Sequence, residues 1–158
     1  MRTLRIVLFI SASIFLLLQL IYYSKMPDNV AVHFNTGGEV NLWLPKNIYL
    51  VLSYLIMIVI NLIFVRVSYY LRTISPHLIN IPQKDYWLSQ KNKDQLINIL
   101  SGYTYFIGLI TNLFMIYLFH QIYRFNIHSI DKVSIIGVIP YLLCILGSTI
   151  YLLVRLNK

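Results

Sequence analysis

Few side chains in this sequence have reactive chemistry, and they are scattered. His33 and Glu39, joined by His120 and His128, combine imidazole and carboxylate, which suit zinc. No two of them have the short helical spacing that makes a zinc motif specific, so neither a metal nor any other cofactor is expected. His33 with Asp28 would be the start of a hydrolytic pair. The sequence offers neither a nucleophile elbow nor a helical zinc motif to complete it, so no catalytic residue is assigned and the chain is read as a non-enzyme. Pumps and transporters carry ionisable groups at the membrane midplane. The carboxylates here (Asp28, Glu39, Asp85, Asp94 and Asp131) all fall in predicted loops. Asn61 and Asn112 are the most polar mid-span residues, and hydrogen bonding between helices accounts for both.

What must position His33 and Glu39 is the polar stretch from Met26 to Lys46. Two alternating runs flank a glycine pair. Val30, Val32 and Phe34 share one side of the first run, and Val40, Leu42 and Leu44 share one side of the second. Joining the apolar sides requires a three-residue loop, Thr36-Gly37-Gly38, with Gly38 in the left-handed conformation. The expected pairs are Asn35 with Glu39, Phe34 with Val40, His33 with Asn41, and Val32 with Leu42. The polar face then carries His33, Asn35, Glu39 and Asn41, with Ala31 and Trp43 on the same side. His33 reads as a hydrogen-bonded anchor of the turn, and Glu39 as an acceptor for Asn35 or Thr36. A lone hairpin is marginal in water, so its apolar face, Val32, Phe34, Val40 and Leu42, is expected to rest on helix ends or in the membrane interface.

The remainder of the 158 residues is far too apolar for a soluble domain, at 58% hydrophobic and 11% charged. Windows without Asp, Glu, Lys or Arg run from Ile6 to Ser24, Asn47 to Val65, Gln95 to Tyr123 and Val133 to Val154, each about long enough to cross a bilayer. Twelve Leu, Ile, Val or Phe lie between Ile6 and Ile21. They favour insertion by about 4 to 7 kcal/mol before the polar residues are counted. That run is long for a signal peptide and no small-x-small site precedes Lys25, so it is expected to be a retained span. The predicted fold is an all-α membrane protein, a single domain over 1–158. Its spans lie near 4–23, 48–67, 96–119 and 133–154, with an outer hairpin loop at 24–47 and a cytoplasmic loop at 68–94.

The net charge of +8 invites a nucleic-acid reading, but its distribution is topological. Arg2, Arg5, Arg66, Arg72, Lys84, Lys91, Lys93, Arg155 and Lys158 fall on one side; Lys25, Lys46, Arg124 and Lys132 fall on the other. This positive-inside bias puts both termini in the cytoplasm, and no nucleic-acid partner is expected. Cys144 is the only cysteine, so no intrachain disulfide is possible.

The second loop carries Pro76 and Pro82 and no helical period. Lys84, Tyr86, Trp87, Lys91 and Lys93 suit a segment lying on anionic lipid, and an ordinary connector explains them equally well. Asn92 with Gln95 has the spacing of a capping box, and Asn47 is placed to cap the second span. Thr104, Gly108 and Asn112 recur every four residues, the pattern of close helix packing within a four-helix bundle. Pro140 reads as a kink.

Two stretches resemble a known family. Residues 26 to 46 are similar to the signature of the bacterial family called domain of unknown function 1648, matched here by Pro27, His33, Phe34, Asn35, Gly38, Trp43 and Lys46. Ala31 stands where that signature has proline, and Asn41 where it has aspartate. Residues 79 to 88 resemble a second motif of stand-alone members, through Asn80, Pro82, Asp85, Tyr86 and Trp87. The resemblance implies a bacterial inner-membrane protein related to SdpI-like membrane proteins, which act in toxin immunity and in signalling. The resemblance is expected to be to a stand-alone member, without the C-terminal extension typical of the full SdpI-like proteins. Candidate outer binding residues are His33, Asn35, Glu39, Asn41, Trp43 and Lys46. The expected role is accessory, immunity-like or signalling, meeting an extracytoplasmic peptide or protein, with membrane lipid or a cytoplasmic protein at the second loop. A component of small-molecule or lipid transport is the alternative, and a membrane metalloenzyme stands third.

Overall fold

The computed structural model describes residues 2–35, 37–75, 78–130, 132–133 and 136–157. Thr36 of the expected turn, Pro76, His77, Asp131 and Lys158 lie outside the described residues. The elements in order are α1 (Arg2–Tyr23), β1 (Asn29–Phe34), β2 (Val40–Pro45), α2 (Lys46–Tyr70), a one-turn α3 (Lys84–Leu88), α4 (Lys93–Asn126) and α5 (Ile139–Leu156), the last preceded by a 3-10 turn at Ile136–Val138. α1, α2, α4 and the segment Ile136–Leu156 are long and apolar enough to cross a membrane. The protein is the all-α architecture that the sequence predicts, with one antiparallel hairpin between the first two long helices.

Its polarity is turned inside out relative to a soluble protein. The buried polar residues include Ser11, Gln19, Ser53, Asn61, Ser68, Ser101 and Asn112, whereas Leu17, Val51, Leu62, Leu143 and Val154 are among many large apolar residues facing outward. Hydrocarbon solvates those outward faces, so apolar burial cannot select the interior. Small side chains and paired polar groups select it instead. Gly108 sits at the junction of three helices, where an added Cβ would stand 2.9 Å from Phe64 Cγ and 3.0 Å from Leu8 Cδ1. One turn further along, Asn112 and Asn61 exchange two amide hydrogen bonds of 3.0 Å, and Asn112 Nδ2 also donates to Ser11 Oγ at 2.9 Å. This network ties α1, α2 and α4 together, as the two asparagines predict. Thr104 instead turns its hydroxyl to its own helix, at Leu100 O.

Several local expectations need correction. The core holds three long helices rather than four: in α5 only Leu156 is buried, and that helix lies against α4. α4 is 34 residues long and runs to Asn126, so His120 and Arg124 are helical rather than part of the third loop. Pro140 sits in the first turn of α5, where its missing N–H has no helical partner to lose, and no kink is needed. α2 begins at Lys46 after Pro45 with no side-chain cap, and Asn47 Oδ1 accepts a hydrogen bond from Tyr23 instead. Asn92 does precede α4, but its amide donates to Tyr86 O at 3.0 Å and the capping box does not form.

The second loop is also more ordered than its prolines suggest. α3 carries Trp87 inward, 3% exposed, into an apolar cluster with Ile79, Leu96 and Leu156. The indole Nε1 donates to Leu156 O at 2.8 Å and so satisfies a carbonyl at the C-terminal end of α5. Trp87 is therefore unavailable to lipid or to a partner. Tyr86, beside it, is exposed.

Candidate functional site

The hairpin is built on Asn35. Its Oδ1 accepts from the backbone N–H of Gly37 and of Glu39, each at 2.9 Å, while its Nδ2 donates to Glu39 Oε2 at 2.9 Å. Gly38 takes φ +84°, the left-handed value expected of it, and its N–H donates to Asn35 O at 3.0 Å. Asn35 N–H closes the loop on Glu39 O at 2.9 Å. A short amide side chain that mimics a backbone turn can do this, which is why asparagine suits the position.

The pairs Phe34 with Val40 and Asn35 with Glu39 form as the alternation predicts. Next to them, away from the turn, the register slips: His33 stands opposite Leu42 rather than Asn41, because the pairing is irregular on both sides of His33. Beyond the irregularity, Ala31 faces Trp43 and Val30 faces Leu44 in the original register. His33 Nδ1 and Asn41 Oδ1 nevertheless lie 2.6 Å apart and are hydrogen bonded. At the base, Lys46 Nζ meets Asp28 Oδ1 at 2.8 Å and Lys46 N–H donates to Asp28 O at 2.9 Å. The Lys46 ammonium holds the Asp28 carboxyl below the usual carboxylate range, chiefly through this hydrogen bond. It also stands 5.5 Å from the centroid of the Tyr23 ring.

Docking fixes the hairpin to the helices. Val30, fully buried, shares a cluster with Phe15, Met57, Phe119 and Tyr123, and Val32 and Leu44 pack on its edge. Phe34 meets the edge of Phe125 with ring centroids 4.8 Å apart. The expected apolar face thus rests on helix ends, except that Leu42 stays 48% exposed. Ala31, assigned to the polar side, is fully buried instead. The reason is Asn126 at the end of α4: its Oδ1 accepts from Ala31 N–H at 2.7 Å and its Nδ2 donates to Ala31 O at 2.9 Å. One amide side chain completes the strand edge as a neighbouring strand would. The expected third span stops at 119, which leaves Asn126 in the third loop with nothing to single it out, whereas α4 runs on to Asn126.

The three histidines considered together are separated by role. His33 bonds Asn41, His120 Nδ1 shares a 2.7 Å hydrogen bond with the Tyr22 hydroxyl, and His128 ends α4 with φ 56°. At that terminus His128 N–H donates to Phe125 O and Ser129 N–H to Arg124 O, each at 2.9 Å, a Schellman closure. Among the described residues no three His, Cys, Asp or Glu are grouped to hold a metal ion. Of the outer candidate residues, Asn35, Glu39 and Lys46 are committed to the hairpin's own bonds. Trp43 is 54% exposed, and Leu42, Asn41 and His33 are exposed as well. In the second loop Asn80, Asp85 and Tyr86 are exposed and Pro82 is half-buried.

These features define a multi-pass helical membrane protein whose first two spans carry a docked, asparagine-organised hairpin. The family model described as Domain of unknown function (DUF1648) matches residues 10–64, from the first half of α1 through the hairpin and most of α2, so this part of the chain is similar to that family. No curated protein and no solved structure matches the chain.

Proposed function

We propose that this is a bacterial inner-membrane protein of the accessory or immunity-like kind. In this reading both termini are cytoplasmic and the hairpin is held outside as a rigid surface for an extracytoplasmic peptide or protein. The observation that carries it is the asymmetry of the hairpin. β1 is fastened by Val30, Phe34 and the Asn126 clamp, while Leu42 and Trp43 remain exposed on β2. A hairpin anchored through one strand presents the other at little ordering cost when a partner arrives. The contact set narrows to His33, Asn41, Leu42 and Trp43; Asn35, Glu39 and Lys46 act by holding that set in shape.

The test is genetic and physical together. The gene is deleted and the strain is challenged with peptides and proteins secreted by sister strains. Complementation follows with the wild-type chain, with Trp43→Ala/Leu42→Ser, and with Asn35→Ala. Sensitivity to one secreted toxin, restored by the wild type but by neither variant at equal membrane abundance, is the expected result. Unchanged sensitivity throughout, or full rescue by the Trp43→Ala/Leu42→Ser chain, overturns the proposal. Orientation is checked with Gly37→Cys in a Cys144→Ser background: an impermeant thiol reagent should label intact cells.

A further inference from the structure

At the end of the helices opposite the hairpin, α1, α2 and α4 enclose a pocket of about 330 Å³. Arg2 and Arg5 line it from the first turns of α1, Ser68 and Tyr69 from the last turns of α2, Arg72 from just beyond, and Ser101 and Tyr105 from α4. Among the described residues no carboxylate lines it. The guanidinium groups of Arg2 and Arg5 beside one small cavity repel each other unless an anion lies between them. Arginine's planar fork of donors matches phosphate oxygens in particular.

A second observation is independent of charge. Ser68 is 3% exposed and its hydroxyl has no hydrogen-bond partner. Serines in membrane helices usually donate back to a carbonyl of the preceding turn. Ser11, Ser53 and Ser148 do so here, at 2.7, 2.8 and 2.9 Å. Ser68 does not, and a buried donor left unpaired is costly until an acceptor reaches it. Its own carbonyl oxygen already receives Ser101 Oγ at 3.5 Å.

We infer that this pocket binds the phosphate group of an anionic phospholipid, with Arg2 and Arg5 around the phosphate, Arg72 at the pocket's rim and the Ser68 hydroxyl donating to one of its oxygens. The level is right for a headgroup. The charge-free run of α1 starts at Ile6 and that of α2 ends at Val65, so the arginines stand where hydrocarbon gives way to polar headgroups. Such a lipid would join the three core helices at the end away from the hairpin. The inference does not depend on what the hairpin meets.

The full chain in neutral detergent is titrated with phosphatidylglycerol, with phosphatidylcholine and, separately, with sodium phosphate. Native mass spectrometry counts bound lipid, and thermal unfolding reports the anion. The expected result is one phosphatidylglycerol held at least about tenfold more tightly than phosphatidylcholine, a preference abolished in Arg2→Gln/Arg5→Gln. Ser68→Ala should weaken binding several-fold without lowering the Tm of the lipid-free protein, which keeps the inference testable if the arginine variant folds poorly. Arg66→Gln removes the same charge outside the pocket and should change nothing. Saturable binding of inorganic phosphate, lost in Ser68→Ala and without lipid preference, would assign the pocket to a free anion and overturn the lipid. Equal affinity for both lipids without phosphate binding, or an effect of Arg66→Gln equal to that of Arg2→Gln/Arg5→Gln, overturns the site altogether.

Discussion

Asn126→Ala is the most informative substitution in this protein. It removes no apolar core and touches no residue of the hairpin's exposed side, yet it strands both backbone groups of Ala31. Ala31 is fully buried, so water cannot replace the lost partners while the strand stays seated. Each unpaired buried group costs about 1 to 3 kcal/mol, so the pair should lower the free energy of lifting the hairpin by about 2 to 6 kcal/mol. Amide hydrogen exchange followed by mass spectrometry reads that energy directly in residues 29–45. At about tenfold per 1.4 kcal/mol, exchange there should accelerate by about 30- to 20,000-fold. The Asn61–Asn112 network in the middle of the core should be untouched. Ala31→Pro removes the donor half of the same clamp, so adding it to Asn126→Ala should cost less than the sum of the two. Acceleration below about threefold in residues 29–45 would show that the amide does not hold the strand. Equal acceleration in α1 and α2 would show that the loss is global, and either result refutes the reasoning.

Four further outcomes are expected. Gly108→Ala forces a Cβ against Phe64 and Leu8 and should destabilise the protein by about 1 to 3 kcal/mol, read as a lower midpoint in detergent-denaturation titrations. Trp87→Phe keeps most of the buried ring but leaves Leu156 O without its donor; a loss of about 1 to 2 kcal/mol should appear as faster carboxypeptidase trimming of the C-terminus. His128→Gly relieves a left-handed conformation at the end of α4 and should stabilise the protein by about 1 kcal/mol in the same titrations. Because Lys46 lowers the Asp28 pKa, the contact between them contributes above the ordinary aspartate range and is lost as pH falls through the lowered value; protection of amides at the hairpin base should therefore drop at acid pH in the wild type but not in Asp28→Asn.

How much of this was legible in the sequence depended on the range of the interaction. Period-two alternation and the glycine pair specify Phe34 opposite Val40 and a left-handed Gly38, because both are local and backbone geometry leaves few alternatives. Charge-free windows specify the long helices for the same reason: hydrocarbon demands a continuous hydrogen-bonded run. The largest failures are long-range. Asn126 reaches Ala31 across 95 positions and Trp87 reaches Leu156 across 69, and nothing near either residue announces its partner. Asn92 and Asn47 were read from local capping rules, and each was drawn off by a tyrosine from outside its own helix. Arg2, Arg5 and Arg72 read only as topology, since their meeting around one pocket requires three helix ends to be brought together.

The Trp87–Leu156 hydrogen bond bears on the order in which the chain assembles. α5 is made after α3 and α4, and besides its packing on α4 it is held where Leu156 enters the cluster around Trp87 and by this indole. The receiving pocket belongs to a segment translated some seventy residues before Leu156, between α2 and α4. Leu156 must therefore be translated before the latch can close, and the helix should reach its place only after α3 has wound up. A bulky fusion joined directly behind Leu156 would meet that latch before it met solvent.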